Sequence, residues 1–162
     1  MRILCIVDCY LPSTKSSAKL MHDLAVGMRS RGHEVTVAAP DDQLDQPCTV
    51  SQDEGVTALR IRTGRIKGAN LLTRGINEAR LSSVMWKHGK NFFCSRRFDL
   101  IVFYSPSIFF GPLVAHLKRL YGCKAFLILR DIFPQWAVDA GVMRKGLVWR
   151  YFRHVEMRQY KA

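Results

Sequence analysis

The sequence lacks the cysteine patterns of metal fingers and disulfide-stabilised domains. Its five cysteines are odd in number, and no two have the spacing of a CxxC pair or a zinc site. We expect reduced thiols, with Cys5 and Cys123 inside predicted strands of the core. The five histidines show no metal-ligand spacing either. The sequence therefore predicts neither a metal site nor a bound cofactor.

Long apolar runs and a secretory leader are also absent. No segment approaches the roughly 20 unbroken apolar residues of a membrane span. The N-terminal apolar run carries Asp8 and leads into a helical pattern without a small-residue cleavage site, which is unlike a signal peptide. We expect a cytoplasmic protein.

Two signatures of familiar nucleotide and signalling domains are missing. The first loop has no GxGxxG, and Pro40 stands where an acidic residue would close the second strand of a dinucleotide-binding domain. A receiver-like domain needs an acidic pair after its first strand and a lysine after its fifth. Only Asp8 is present, and Arg130 stands in place of the lysine. Both classes are disfavoured.

Acidic residues are few: 13, against 25 lysines and arginines, which gives a formal net charge of +12. Such an excess implies an anionic partner, which is a nucleic acid, an anionic membrane surface or a phosphorylated substrate. The basic residues concentrate in 60–97 and 144–161. No recognised nucleic-acid motif accompanies them, so no nucleic acid is expected. The alternative left open is a non-catalytic basic α/β domain that binds nucleic acid or an anionic membrane.

The chain that remains is an ordinary globular one. It has 162 residues, of which 48% are hydrophobic and 23% charged. This length supports one domain with a formed core and is short for two. We expect a single domain over 1–162.

The first forty residues predict a strand, a loop, a helix and a second strand. Arg2 to Val7 is a short apolar run typical of a buried parallel strand. Lys15 to Arg31 has helical spacing of apolar residues and ends before Gly32, and Val35 to Ala39 is extended. This βαβ unit places the loop Asp8 to Ser17 at the carboxyl end of the first strand, where open α/β sheets bind ligands.

Further elements alternate in the same way. We predict a surface loop over 41–54, a third strand near the sheet edge, an interrupted helix, and then strand, helix, strand and helix. These predicted elements are Val56 to Arg62, Leu71 to Phe93 with breaks at Gly75 and Gly89, Asp99 to Tyr104, a helix capped by Ser107 and stopped by Gly122, Cys123 to Leu129, and a helix from Met143. The fold class is α/β, a Rossmann-like three-layer α/β/α arrangement with a mainly parallel twisted sheet.

Parallel topology brings the loops after the first, fourth and fifth strands to one edge of the sheet. We therefore expect the polar residues of the three loops to lie close together. The first loop supplies Lys15, Ser16 and Ser17, the second supplies Ser105 and Ser107, and the third supplies Arg130 and Asp131. The N-terminus of the first helix, with Lys15 beside it, is suited to an anionic group. For Asp131, the alternative is a loop residue that pairs with Arg130 or caps a short helix.

Basic and aromatic residues are interleaved in the first basic stretch. Such a pattern on a helix suggests contact with phosphate head groups and the acyl boundary of a membrane. The alternative is a helix packed on the core with a solvated basic face. The predicted membrane-surface residues are Arg74, Arg80, Trp86, Lys87, Lys90, Phe92 and Phe93.

Four motifs together resemble the N-terminal domain of a family 4 type glycosyltransferase with the GT-B fold. They are Tyr10-Leu11-Pro12, the run RGHEVTV from Arg31 to Val37, FDLI from Phe98 to Ile101 before a Ser-Pro-Ser turn, and RDIFP from Arg130 to Pro134. The resemblance covers nearly the whole chain. Within the family, the chain is most similar to bacterial O-antigen and capsule sugar transferases, including L-fucosamine transferases.

The resemblance implies a retaining, metal-independent transferase in which this domain holds the acceptor and a second domain holds the nucleotide sugar. That second domain is absent from these residues, so we expect the chain to be a fragment that is inactive alone. The implied acceptor is a saccharide linked to a polyprenyl diphosphate at the inner face of the bacterial plasma membrane. It implies that Asp131 lies nearest the chemistry, with Tyr104 and the polar residues of the three loops binding the acceptor. Ser16-Ser17 stands where many members have Gly-Gly.

Overall fold

The computed structural model describes residues 1–65, 71–105 and 107–162, so Pro106 of the predicted Ser-Pro-Ser turn lies outside the described residues. Strands and helices alternate along most of the chain. The strands are β1 (Arg2–Ile6), β2 (Glu34–Asp41), β3 (Cys48–Asp53), β4 (Val56–Arg62), β5 (Leu100–Tyr104) and β6 (Lys124–Ile128). The helices are α1 (Ser16–Ser30), α2 (Leu71–Ala79), α3 (Leu81–Cys94), α4 (Gly111–Tyr121), α5 (Gln135–Asp139) and α6 (Leu147–Tyr160), and a 3₁₀ turn (Ile108–Phe110) precedes α4.

The six strands form one sheet in the order β3-β4-β2-β1-β5-β6. All neighbouring pairs are parallel except β3 with β4, which is antiparallel. Leu4 and Ile6 of β1 belong to a core cluster with residues of α3 and α4, whereas Ile3 and Cys5 belong to a second cluster with residues of α1. Because successive side chains of a strand point to opposite faces, helices cover both faces. The predicted Rossmann-like α/β fold is confirmed.

The prediction of a surface loop over 41–54 was wrong in its second half. Residues Cys48–Asp53 form β3, which pairs with β4 and is the edge strand next to it. As a result β4 is an inner strand and not, as predicted, one near the edge. The β3 side chains are half-buried or exposed throughout. An edge strand of this kind has a polar sequence that resembles a loop, which explains the error.

The helical segment predicted over Leu71 to Phe93 is two helices, and they meet at Arg80 and not at a glycine. Gly89 lies inside α3 and is buried. A Cβ atom there would lie 2.7 Å from the Phe93 ring and 3.0 Å from the Ile61 side chain. The glycine allows α3 to approach β4 closely, so it serves packing and does not end the helix.

The helical segment after β5 begins and ends at the residues that the sequence predicts. The Ser107 hydroxyl accepts a hydrogen bond from the Phe109 N–H at 3.4 Å, as a cap does. Gly122 ends the helix with φ of +63°, a left-handed conformation that favours glycine.

The strand that follows α4 differs from the prediction. β6 is an edge of the described sheet, and its Phe126 side chain is 62% exposed. The fully buried strand expected over Cys123 to Leu129 is therefore not observed.

The last helix begins at Leu147, four residues later than predicted, and packs on α4. Of its apolar residues, Phe152 and Val155 pack against the core, but Leu147, Val148 and Tyr151 are exposed. Glu156 is fully buried and accepts hydrogen bonds of 2.6 Å from the Arg153 guanidinium and the Tyr160 hydroxyl. Burial and the bond to Glu156 raise the pKa of Tyr160 to about 12, so this hydroxyl stays a donor.

The cysteines behave as expected of reduced thiols. All five are free, and Cys5 is fully buried in the middle of β1. Burial raises the pKa of the Cys5 thiol to about 12, because the low-polarity core disfavours the thiolate. Cys123 is only half-buried, so its placement in the core is confirmed in part.

Candidate functional site

A cavity of about 730 Å³ lies at the carboxyl ends of the parallel strands. We call it the central pocket. Its walls come from the loop after β1, the end of β2, Arg60 of β4, the 3₁₀ turn before α4, and the segment after β6 that holds Asp131, Phe133 and Trp136. This is the edge where the sequence predicts a ligand site.

Three of the predicted site residues lie together in the lining of this pocket. Lys15 comes from the start of α1, Ser107 from the turn after β5, and Asp131 from the segment after β6. The sequence separates Lys15 from Asp131 by more than a hundred residues, and the parallel sheet brings them to one cavity. Asp131 is exposed, so its carboxylate is accessible from solvent.

The other predicted acceptor-binding residues do not line the pocket. Tyr104 and Ser105 are almost completely buried, at 1% and 0% exposure. The Arg130 guanidinium donates to the Tyr104 hydroxyl at 3.2 Å, and the Ser105 hydroxyl donates to the Asp131 carbonyl at 3.3 Å. These contacts hold the segment after β6 in place beneath the pocket. Their geometry is that of positioning residues.

Ser16 and Ser17 also lie outside the pocket lining. Ser16 is the exposed first residue of α1, and the Ser17 hydroxyl lies 3.1 Å from the Cys9 sulfur. Lys15, at the N-cap position, has no side-chain acceptor with which to cap the helix. The first N–H groups of α1 therefore keep the positive character of a helix N-terminus beside the Lys15 ammonium.

Sequence reasoning missed most of the carboxylates that line the pocket. Besides Asp131, the lining contains Asp8 at the end of β1, Asp41 and Asp42 at the end of β2, and Glu78 of α2. The rule that ligands bind at the carboxyl ends of parallel strands would have found Asp8, Asp41 and Asp42. Nothing in the sequence points to Glu78, because α2 reaches the pocket only through the tertiary fold.

The pocket has the opposite charge character from the chain as a whole. Five of the 13 acidic residues line it, whereas its described lining contains only Lys15 and Arg60 of the 25 basic residues. Acidic side chains are thus gathered at this site in a protein that is otherwise strongly basic. A polyanion such as nucleic acid would be repelled from the floor of the pocket.

Arg60 holds the first loop in position. Its guanidinium donates to the Leu11 carbonyl at 2.6 Å and to the Ser51 hydroxyl at 2.9 Å. Because the planar guanidinium is bonded to both of these groups, it has little freedom to rotate toward a ligand. Arg60 therefore shapes the pocket wall by joining β3 and β4 to the loop after β1.

Aromatic rings provide the apolar part of the pocket. Tyr10, Phe109, Phe133 and Trp136 all lie in the lining. Trp136 is 47% exposed, and its ring centroid lies 6.1 Å from that of Phe133. Burial raises the pKa of the Tyr10 phenol, which therefore stays protonated. In such a pocket the carboxylates can accept hydrogen bonds from the hydroxyl groups of a ligand, while the aromatic rings pack against an apolar face of the same ligand.

The basic and aromatic residues predicted to contact a membrane separate into two groups. Phe93 is fully buried, and the Trp86 ring stacks on it with centroids 6.4 Å apart. Phe92 also packs against the core, below the Arg96 guanidinium. Phe93 therefore has no exposed surface with which to contact a membrane, whereas Trp86 and Phe92 are half-buried and pack against the same core cluster. A membrane contact of these two rings stays a prediction.

The cations of the same segment remain at the surface. Arg80, Lys87 and Lys90 are exposed, as is Ile76 of α2, while the side chain of Arg74 lies outside the described residues. Within the part of the chain that the structure describes, no helix has the length and apolar character needed to cross a membrane.

Comparison with known proteins agrees with this architecture. Residues 17–161 match the glycosyl transferase 4-like domain. No curated protein sequence matches the chain.

Solved structures show the same fold at low sequence identity. The C-terminal domain of a hydrogenase from Pyrococcus furiosus superposes with a TM-score of 0.53 and 15% identity, over 79% of this chain and 90% of that one. An E. coli structure described as trehalose-6-phosphate bound with UDP-2-fluoro glucose has a TM-score of 0.50 and 11% identity. That match covers 99% of this chain and 43% of the E. coli chain.

Proposed function

Because the chain belongs to the glycosyl transferase 4-like domain family, we propose that it is the acceptor-side domain of a retaining glycosyltransferase. In this proposal the central pocket holds the sugar that receives the transferred residue. Asp131 lies nearest the reacting hydroxyl and either orients it or accepts its proton.

The observation that carries the proposal is the concentration of carboxylates and aromatic rings in one pocket of a basic protein. Sugar hydroxyls are donors that carboxylates accept, and the C–H faces of a sugar ring pack on aromatic rings. A nucleic acid would need cations at the same place. The lining therefore favours a saccharide.

The lipid diphosphate of the acceptor fits the rim of the pocket better than its floor. Lys15 lines the pocket, is exposed and stands at the N-terminus of α1, and both the ammonium and the helix N-terminus attract anions. We place the diphosphate there and the sugar among the carboxylates.

The nucleotide sugar is assigned to a second domain that these 162 residues do not include. The chain spans 43% of the E. coli protein that was bound with UDP-2-fluoro glucose, and 99% of this chain is covered in that match. In this proposal the present domain binds the acceptor but does not transfer sugar by itself. The pathway we propose is assembly of O-antigen or capsular polysaccharide.

The acceptor-binding role predicts an effect at Lys15. Replacing Lys15 by Ala should weaken binding of a short-chain polyprenyl-diphosphate saccharide by about tenfold or more, because a charge-assisted bond to phosphate is lost. Calorimetric titration of the chain measures this. The matched control is Lys19→Ala, which removes an exposed ammonium on the same helix that pairs with Asp23 at 2.7 Å. Equal affinities for the two variants would contradict the assignment of the diphosphate.

The membrane role predicts salt-sensitive binding to anionic vesicles. Each exposed cation near an anionic surface contributes about 1 kcal/mol, so Lys87→Glu with Lys90→Glu should strongly reduce sedimentation with anionic vesicles. The control is Lys124→Glu with Lys161→Glu, which makes the same charge change at other exposed positions. High salt should release the wild-type chain.

Two outcomes would overturn the membrane role. One is equal sedimentation with neutral and anionic vesicles. The other is binding to duplex or single-stranded DNA, with a steep salt dependence and no vesicle binding, which would support the nucleic-acid alternative.

A further inference from the structure

A buried histidine and two carboxylates come together away from the central pocket. His22 lies on α1, while Asp53 and Glu54 lie at the turn that joins β3 to β4. One ligand atom from each of the three residues lies within 4.8 Å of the other two. His22 is 31 positions or more away from the two carboxylates in the sequence, which is why no metal-ligand spacing is visible there.

The histidine is fixed in orientation. Its side chain is 3% exposed, and its Nδ1 atom lies 2.8 Å from the Tyr10 hydroxyl. The other ring nitrogen, Nε2, faces Glu54, with 3.5 Å between Nε2 and the Glu54 Oε1 atom. A metal-ligating histidine is typically held in this way, with one nitrogen bonded to a second group and the other directed at the ion.

The spacing of the ligand atoms matches a small divalent ion. In a tetrahedral zinc site with bonds of about 2.1 Å, two ligand atoms lie about 3.4 Å apart. The distance between the His22 and Glu54 atoms is 3.5 Å. Asp53 needs only a side-chain adjustment to reach the same position, because its carboxylate lies within 4.8 Å of both.

We propose that His22, Asp53 and Glu54 bind a divalent transition-metal ion of the zinc type. One imidazole and two carboxylates are ligands for Zn²⁺ or Co²⁺, whereas Mg²⁺ and Ca²⁺ prefer oxygen ligands alone. The three side chains and one water molecule make up a four-coordinate site. The ion fastens the β3–β4 turn to α1.

The site also communicates with the central pocket through Tyr10. With the ion on Nε2, the proton of the neutral imidazole is on Nδ1, and this N–H donates a hydrogen bond to the Tyr10 hydroxyl oxygen at 2.8 Å. Tyr10 lines the central pocket. The ion therefore positions a pocket residue without touching the ligand.

The test is a titration of the chelator-treated chain with Zn²⁺, and with Co²⁺ as a spectroscopic probe. We expect one equivalent to bind, no response to Mg²⁺, and a rise in Tm of about 5–10 °C at a hundredfold excess over Kd. Asp53→Asn combined with Glu54→Gln should lower the affinity by more than about tenfold. Asp53 is the last residue of β3, Glu54 lies in the turn that follows, and the Glu54 side chain is 67% exposed, so the double variant should fold.

The control is His33→Ala combined with Glu34→Gln, which removes an imidazole and a carboxylate, the two ligand types of the proposed site, near the N-terminal amine. It should bind the metal as the wild type does. The proposal is overturned if the Asp53 and Glu54 variant binds as tightly as the wild type, or if the control loses as much affinity. It is also overturned if bound Co²⁺ shows a thiolate charge-transfer band, because the ion would then sit on cysteine.

Discussion

Replacing Asp131 by Ala should lower the rate of sugar transfer by about 10²–10⁴-fold in the proposed two-domain enzyme. The carboxylate is exposed into the central pocket, and the backbone that carries it is held by the Ser105 hydroxyl. Because that bond is made to the Asp131 carbonyl, the substitution leaves it in place. The loss should therefore appear in kcat and not in the free energy of unfolding. Transfer to the lipid-linked acceptor is the measurement.

Two further variants separate charge from shape at this position. Asp131→Asn keeps the size of the side chain but cannot accept a proton, so its rate should fall nearly as far as that of Asp131→Ala if the carboxylate acts as a base. Asp139→Ala is the control, since Asp139 is an exposed residue of α5 outside the pocket lining. Near-normal turnover of Asp131→Ala would remove this residue from the chemistry.

Replacing Gly111 by Ala should destabilise the domain by about 1–3 kcal/mol or more. Gly111 is buried at the first turn of α4, and a Cβ atom there would lie 2.8 Å from the Gln159 Cα and 3.1 Å from its backbone nitrogen. Since backbone atoms cannot rotate away as a side-chain end does, α6 must shift from α4. Urea unfolding gives the change in free energy.

The matched control is Gly27→Ala in α1. Gly27 is exposed inside a helix, and a Cβ atom there would meet nothing within 4 Å. This substitution should stabilise the domain by about 0.5–1 kcal/mol, because alanine is the better helix former. Similar effects at the two glycines would show that the close contact between α4 and α6 does not matter for stability.

The sequence predicts the inner strands and their helices well for a clear reason. β1, β2 and β5 are covered on both faces, so their apolar runs reveal them, and Gly122 marks the end of α4. The edges were harder. β3 is polar because it is half in solvent, and the exposed Phe126 made β6 look buried. An apolar residue in a strand does not reveal whether another layer covers it.

The candidate site was predictable only where strand ends define it. Lys15, Ser107 and Asp131 follow predicted elements, and the parallel topology places them together. Ser17 and Tyr104 were assigned to the ligand because polar side chains at strand ends look alike in sequence. In the structure they bond to other protein groups. Phe93 was assigned to a membrane surface although it is buried in the core. Basic and aromatic residues are interleaved along α3, and the sequence does not reveal that the aromatic residues form the packed face.

The unequal distribution of charge between the pocket and the rest of the surface has a kinetic consequence. For the acceptor that we propose, a lipid diphosphate that carries a saccharide, long-range attraction favours approach to the basic exterior, but the five carboxylates repel the diphosphate from the interior of the cavity. The uncharged saccharide feels no such repulsion. The acceptor is thus turned sugar end first before any short-range contact forms, and raising the ionic strength should slow productive encounters more than it weakens the final complex.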